Sequence, residues 1–188
     1  AYPVPSAEMI VLADWPKRKS ILARGLLSLQ LKVGADDLAD GAKASVATIT
    51  SLEHPREYHH LFPDSKLAEA GLLPEDIYRA VNCALITWRT NRTISNKDPI
   101  RYLKERADSS TLGEDELRRR LRTHLIPYEE LNVGDYAGLD GDALKDRTKT
   151  DYRKFSIARA QLLANAAEMV CQGHALDLNK IFSDAAGI

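Results

Sequence analysis

Glu57-Tyr58-His59-His60-Leu61-Phe62-Pro63, then Val81-Asn82-Cys83-Ala84-Leu85-Ile86, then Thr90-Asn91-Arg92-Thr93-Ile94-Ser95-Asn96-Lys97, form the stretch on which the fold of this chain turns. Glu57 to Pro63 suits a short strand or strand-like hook. Asp64-Ser65 starts a small helix, Lys66 to Ala70, ended by Gly71, and Pro74-Glu75-Asp76 opens another helical turn. Cys83 to Thr87 is apolar with a β-branched residue and reads as a second strand. Arg89 to Asn96 reads as a helix broken before Pro99, because the residue ahead of a proline is pushed out of the α region. The order is strand, insertion, strand, helix.

Working outward, the flanks read as helices. Ser6 can cap a short segment running to Asp14, and Lys17 to Val33 carries Ile21, Leu22, Leu26, Leu29 and Val33 at helical spacing, with Gly34 as its stop. Asp36 to Ser51 is a weaker, alanine-rich helix. Ile100 to Ala107 and Glu114 to Leu125 are further helices, Asp115 and Glu116 lying in the favourable first turn of the second. Pro127 to Lys149 is loop-like, with three glycines and several aspartates. Asp151 to Gly173 is a strong amphipathic helix carrying Phe155, Ile157, Leu162, Leu163, Ala166 and Met169 inward. The expected organisation is a helical scaffold over 1–52, a core over 53–107 and a helical C-terminal region over 108–188 that packs with the scaffold as one domain. The fold class is α+β, mostly helical.

Composition narrows the function classes. The 188 residues are 44% hydrophobic and 28% charged, those of an ordinary soluble protein, with neither a membrane-span-length apolar run nor a signal-peptide pattern at the start. The isolated cysteines, Cys83 and Cys171, argue against a disulfide framework or zinc knuckle and fit a reducing cytoplasm. A net charge of −1 gives no global attraction to nucleic acid, so any such contact must rest on local basic patches. The start at Ala1 rather than Met suggests the C-terminal part of something longer, although removal of an initiator methionine would look the same.

The central stretch holds the chemistry. Phosphodiester hydrolysis needs a base to activate water and a cation to stabilise charge on phosphorus and the leaving oxygen. His60 is the natural base, since imidazole titrates near neutrality. His59 precedes it, so in a regular strand the two rings point to opposite sides, and a bend is needed for them to converge. Asn91, opening the last helix, offers an amide oxygen to a metal. Asn82 is placed to bond backbone and fix the loop between the strands, while Arg92 and Lys97 suit phosphate oxygens.

His60-Leu61-Phe62-Pro63 resembles the H-x-x-P segment of HNH (His-Me finger, ββα-metal) endonucleases, and Asn82 through Arg92 resembles that family's N-x-x-L-x(4)-N-[RK] block. The phrase His59-His60-Leu61-Phe62-Pro63-Asp64-Ser65 further resembles the C-terminal nuclease domains of bacterial anti-phage restriction proteins of the GmrSD and SspE types. The resemblance covers Tyr58 to Lys97; the helical flanks match only in character. It implies a ββα-metal finger embedded between helical segments, with His60, Asn82 and Asn91 as the catalytic set, His60 as base and Asn82 as positioning residue. His59 and Asn91 would be metal ligands, and Arg89, Arg92, Lys97 and Arg101 would contact DNA. The cofactor is a divalent metal, Mg²⁺ first. Histidine at 59 stands where the family usually has a carboxylate, which shifts preference towards Mn²⁺ or another transition metal. Asp64 is a weaker source of that carboxylate. The implied partners are DNA and an N-terminal ParB-like or NTPase domain of the same protein, with no membrane. The alternative is a catalytically inactive HNH-like module that binds DNA or a partner.

Plainer roles suit the remaining polar residues. His54 sits in a loop, and His124 and His174 suit structural or solvated positions. Trp88 suits the core. Arg118-Arg119-Arg120 with Arg122 wraps round a helix and suits salt bridges before phosphate. Asp140, Asp142 and Asp146 lack the glycine and glutamate of a calcium loop.

Overall fold

The first helices begin where a serine can cap them. In the computed structural model, which describes residues 3–16, 20–38, 41, 43, 56–87, 113–133, 136 and 138–186, Ser6 opens α1 (Ala7–Val11) by accepting from the Met9 N–H. Ser20 opens α2 (Ile21–Val33) by accepting from the Ala23 N–H, so this helix starts at its serine cap rather than at Lys17. Gly34, at φ 90°, ends it, returning its N–H to the carbonyls of Gln30 and Leu31.

The helix expected from Asp36 does not start there. Asp36 makes an isolated antiparallel bridge with Lys43. Its N–H donates to Thr123 Oγ1 at 3.0 Å, and its carboxylate accepts from Lys43 and Arg119 at 2.9 and 2.7 Å. These tertiary bonds replace the local ladder a helix would need. Residues 44–55 lie outside the described residues.

β1 (Arg56–His60) and β2 (Cys83–Thr87) pair antiparallel, with Arg56 opposite Thr87 and His60 opposite Cys83. Between them run α3 (Asp64–Glu69), α4 (Pro74–Ile77) and a 3₁₀ turn over Ala80–Asn82. Two strands alone are marginal in water, and this pair is held by packing on both faces. Ala84 joins a core with Leu61, Phe62, Leu67, Leu121, Tyr152 and Phe155. Cys83 faces the other way, onto Trp15 and Leu27.

The C-terminal part comprises α5 (Glu114–Thr123), α6 (Tyr128–Leu131), α7 (Gly141–Cys171) and α8 (Leu178–Ala186). The loop expected over 127–149 is corrected: α6 and the first turns of α7 occupy much of it. Asp142 sits in the first turn of α7, where a negative charge is favourable, and pairs with Lys145 at 3.6 Å. Leu144 and Thr148 continue the inward stripe of Tyr152 and Phe155, so the aspartates decorate a helix. Ile157, expected inward, is exposed. Gly173, at φ 78°, closes α7 as expected: its N–H donates to the Val170 carbonyl, and the His174 N–H donates to that of Met169. α8 is an addition, turning Ile181 into the core beside Leu178, Phe182 and Ala185. That core draws Ile10 and Leu26, Ala80 and Val81, and Leu125, Leu163 and Ala166 together, uniting all three expected regions. Among the described residues, no helix is long and apolar enough to cross a membrane.

The arginine run is bound up in pairs. Arg118 meets Glu114 and Glu129, Arg119 meets Glu116 and Asp36, and Arg120 meets Glu116. Hydrogen bonds from Arg119, opposed by burial and aided by Arg120, hold the Glu116 carboxyl down at about 2. A Cβ at Gly41 would lie 2.9 Å from Arg120 Nη2, and its φ of 72° also favours glycine.

Arg159, with no exposed surface, lies on the buried face of α7. Its guanidinium donates to the carbonyls of Val81 and Cys83 at 2.7 and 2.9 Å, and to those of Leu125 and His124 at 3.3 Å each. Burial pushes it down to about 10, which leaves it charged at neutral pH. Arg159→Met removes every one of these donors and strands four buried acceptors. It should lower unfolding free energy by about 3 kcal/mol or more in urea titration.

His124 is also wholly buried, and its Nε2 lies 2.5 Å from the Asp36 carbonyl. A carbonyl only accepts, so Nε2 carries the proton of a neutral ring. Burial, reinforced by the Arg159 charge, lowers its pKa from 6.5 to about 4. A depressed folded-state pKa means the unfolded chain takes up the proton first. Stability from this group is therefore complete above about 6.5 and drains as pH falls towards 4, by about 3 kcal/mol. Urea titrations across that window should show the loss, and His124→Gln should flatten it.

Candidate functional site

Strand alternation decides where the two histidines go. β1 is regular through its last residue, with His59 opposite Ala84 and His60 opposite Cys83. The rings therefore lie on opposite faces of the sheet: His59 on the side of the Phe62–Phe155 core, His60 on the side of Trp15. The bend comes at Leu61–Phe62, after the pair, and does not bring the rings together.

That bend is fixed by Asn82, which has no exposed surface. Its Oδ1 accepts from the Phe62 N–H at 2.8 Å, and its Nδ2 donates to the carbonyls of Phe62 at 3.1 Å and Ile77 at 3.3 Å. Its own carbonyl accepts from the Leu61 N–H at 2.9 Å. One amide thus satisfies both main-chain groups of Phe62, which a turn away from the ladder would otherwise leave without sheet partners. The side chain is engaged with backbone and holds the segment in place.

His60 sits among aromatic rings. Trp15 stacks on it with centroids 4.1 Å apart and planes 19° from parallel. Tyr78 meets it edge-on at 4.9 Å and 81°. Tyr58, two residues earlier on the same face, meets Trp15 edge-on at 6.4 Å. Burial raises the Tyr58 phenol above its ordinary range. On the other side of the segment, Leu61, Phe62 and Pro63 wall a cavity of about 370 Å³, with Lys66 and Lys145 also at its lining.

The remaining sequence-derived candidates divide simply. Asn91, Arg89, Arg92, Lys97 and Arg101 lie outside the described residues, as do Trp88, Asn96 and His54. Asp64 is committed to its helix start, its Oδ1 accepting from the Ser65 N–H at 2.8 Å and its Oδ2 from the Tyr78 hydroxyl at 3.4 Å. Among the described residues, no three His, Cys, Asp or Glu side chains gather as a metal would require. Of the two residues expected to hold a metal, His59 is among the described residues and Asn91 is not.

Trp15, Tyr78 and Arg159 matter to the site but are not singled out by the motif. Trp15 lies far upstream, in a turn with no motif of its own. Arg159 is betrayed only by its place on the apolar stripe of α7, one turn after Phe155 and beside Ala160 and Leu163.

Asn82→Ala would strip Phe62 of both its partners. We expect a loss of about 2–4 kcal/mol in stability, with exchange of the Phe62 amide hydrogen accelerated beyond what global unfolding accounts for. Hydrogen exchange followed by NMR reads both.

The chain is 30% identical over 114 residues to the uncharacterized protein MJ0686 of Methanocaldococcus jannaschii, a match covering 57% of this chain and 19% of that protein. The chain thus spans about a fifth of its relative's length. No family model and no solved structure matches it.

Proposed function

We propose that this chain is a metal-dependent HNH endonuclease domain that nicks or cleaves DNA, the effector part of a bacterial anti-phage restriction system working in the cytoplasm. The observation that carries this is the Asn82 bond pair to Phe62. It joins the H-x-x-P segment to the asparagine that opens the second strand, the two motifs whose order and spacing make the family resemblance. Two antiparallel strands bracketing an insertion support the reading. The helix expected to complete the finger, over 89–96, lies outside the described residues.

In this mechanism His60 takes a proton from water through an in-plane ring nitrogen. The oxygen of that water bonds to phosphorus, the bond to the leaving oxygen breaks, and the leaving oxygen is protonated by solvent. A divalent metal, when bound, stabilises charge on the phosphate and leaving oxygen. His59 and Asn91 are its proposed ligands. Arg89, Arg92, Lys97 and Arg101 are assigned to the DNA backbone, and any ParB-like or NTPase partner domain to recognition of the target.

A second reading, an inactive HNH-like module that only binds DNA or a partner, is favoured by the opposed faces of His59 and His60. Supercoiled plasmid with Mg²⁺ or Mn²⁺ separates the two. The nuclease should convert it to nicked or linear form, lose this activity in chelator, and fall at least ~100-fold in His60→Ala, the usual contribution of a general base. Undiminished cleavage by His60→Ala overturns the mechanism. DNA binding by wild type without cleavage under any metal supports the binding module.

A further inference from the structure

We infer that Trp15 is the positioning residue for the His60 ring. This rests on His60 being the base, as proposed above, and adds a residue outside the H-x-x-P and asparagine blocks.

A base on imidazole acts through a lone pair in the ring plane, so a partner stacked on the face can set the orientation of that plane. Trp15 covers one face at 4.1 Å, nearly parallel. Tyr78, almost perpendicular to His60 at 4.9 Å and to Trp15 at 5.9 Å, closes the corner between them. Rotation about the last side-chain torsion of histidine is otherwise broad, and productive geometry tolerates errors of only about 10–20°. A two-ring corner restricts that freedom.

A positioning residue must itself be held. Trp15 is 5% exposed, and its backbone is stitched to the insertion on its N-terminal side. Asp14 and Arg79 form an antiparallel bridge, and the Ala80 N–H donates to the Ala13 carbonyl at 2.9 Å. Arg79 Nη1 donates to the Leu12 carbonyl at 2.8 Å, while its Nη2 meets Asp76 at 3.2 Å. These bonds anchor residues 12–14 to the segment that carries Tyr78 and leads into Asn82. Indole, phenol ring and main-chain clamp thus share one rigid support.

The test compares Trp15→Leu, which removes the plane, with Trp15→Phe, which keeps one, at a temperature where circular dichroism shows each variant folded. For plasmid nicking, kcat should fall ~10- to 100-fold in Trp15→Leu with KM within about twofold, and return to within about threefold of wild type in Trp15→Phe. Independently of activity, the ring protons of His60, assigned by their loss in His60→Ala, should resonate upfield in wild type and move to ordinary positions in Trp15→Leu. Wild-type kcat in Trp15→Leu overturns the inference, as does an equal loss in both variants. Unshifted His60 resonances in the wild type overturn the stack itself, whatever the activity. Shifted resonances in a protein that cleaves nothing overturn the nuclease reading, and the positioning role falls with it.

Discussion

The structure depends on one guanidinium. Arg159 places a buried positive charge where, among the described residues, main-chain carbonyls from two segments accept its bonds. Burying a charge is costly unless it is satisfied, so the surrounding chain must converge on it. The Val81 and Cys83 carbonyls belong to the turn entering β2, and those of His124 and Leu125 to the end of α5. Leu125 stands at φ 53°, in the left-handed position that ends helices and that glycine usually fills. Leucine occupies it because its side chain is wholly buried in the second core, and the bond from Arg159 to its carbonyl helps keep the backbone there.

The site is layered on that anchor. Arg159 fixes the residues on both sides of Asn82, Asn82 fixes Phe62, and Phe62 fixes the exit of the strand that carries His60. The first two steps each join the tip of a wholly buried side chain to main-chain atoms, so the geometry is passed to the backbone itself. The N-terminal turn enters independently, through Arg79 and Ala80, and brings Trp15 onto the histidine.

What the sequence disclosed follows from how local each signal is. The strand limits at Cys83 and Thr87, the stops at Gly34, Gly71 and Gly173, and the cap at Ser6 rest on interactions within a few residues, and the pattern carried them. Asn82 as a backbone restraint is legible because a short amide between the two strands has main-chain groups within reach. The first turns of α7 are hidden in sequence because aspartates and glycines favour loops, while the stripe of Leu144, Thr148 and Tyr152 that places them in the helix is sparse. Asp36 was misassigned because its bonds reach Thr123 and Arg119, far along the chain. Trp15 was invisible for the same reason: nothing near it in sequence says that it meets His60.

Residues 3–16 also change what counts as the smallest working unit. The motif-bearing stretch looks like a self-contained cassette, portable between proteins. Yet His60 lies against an indole from well before the first strand, and the second strand is tethered to a helix well after it. A cassette cut at the motif boundaries would carry every residue of the signature and lose both supports. Modularity in the sequence therefore does not imply modularity in three dimensions, and the boundaries of this unit are set by a tryptophan and an arginine that the signature omits.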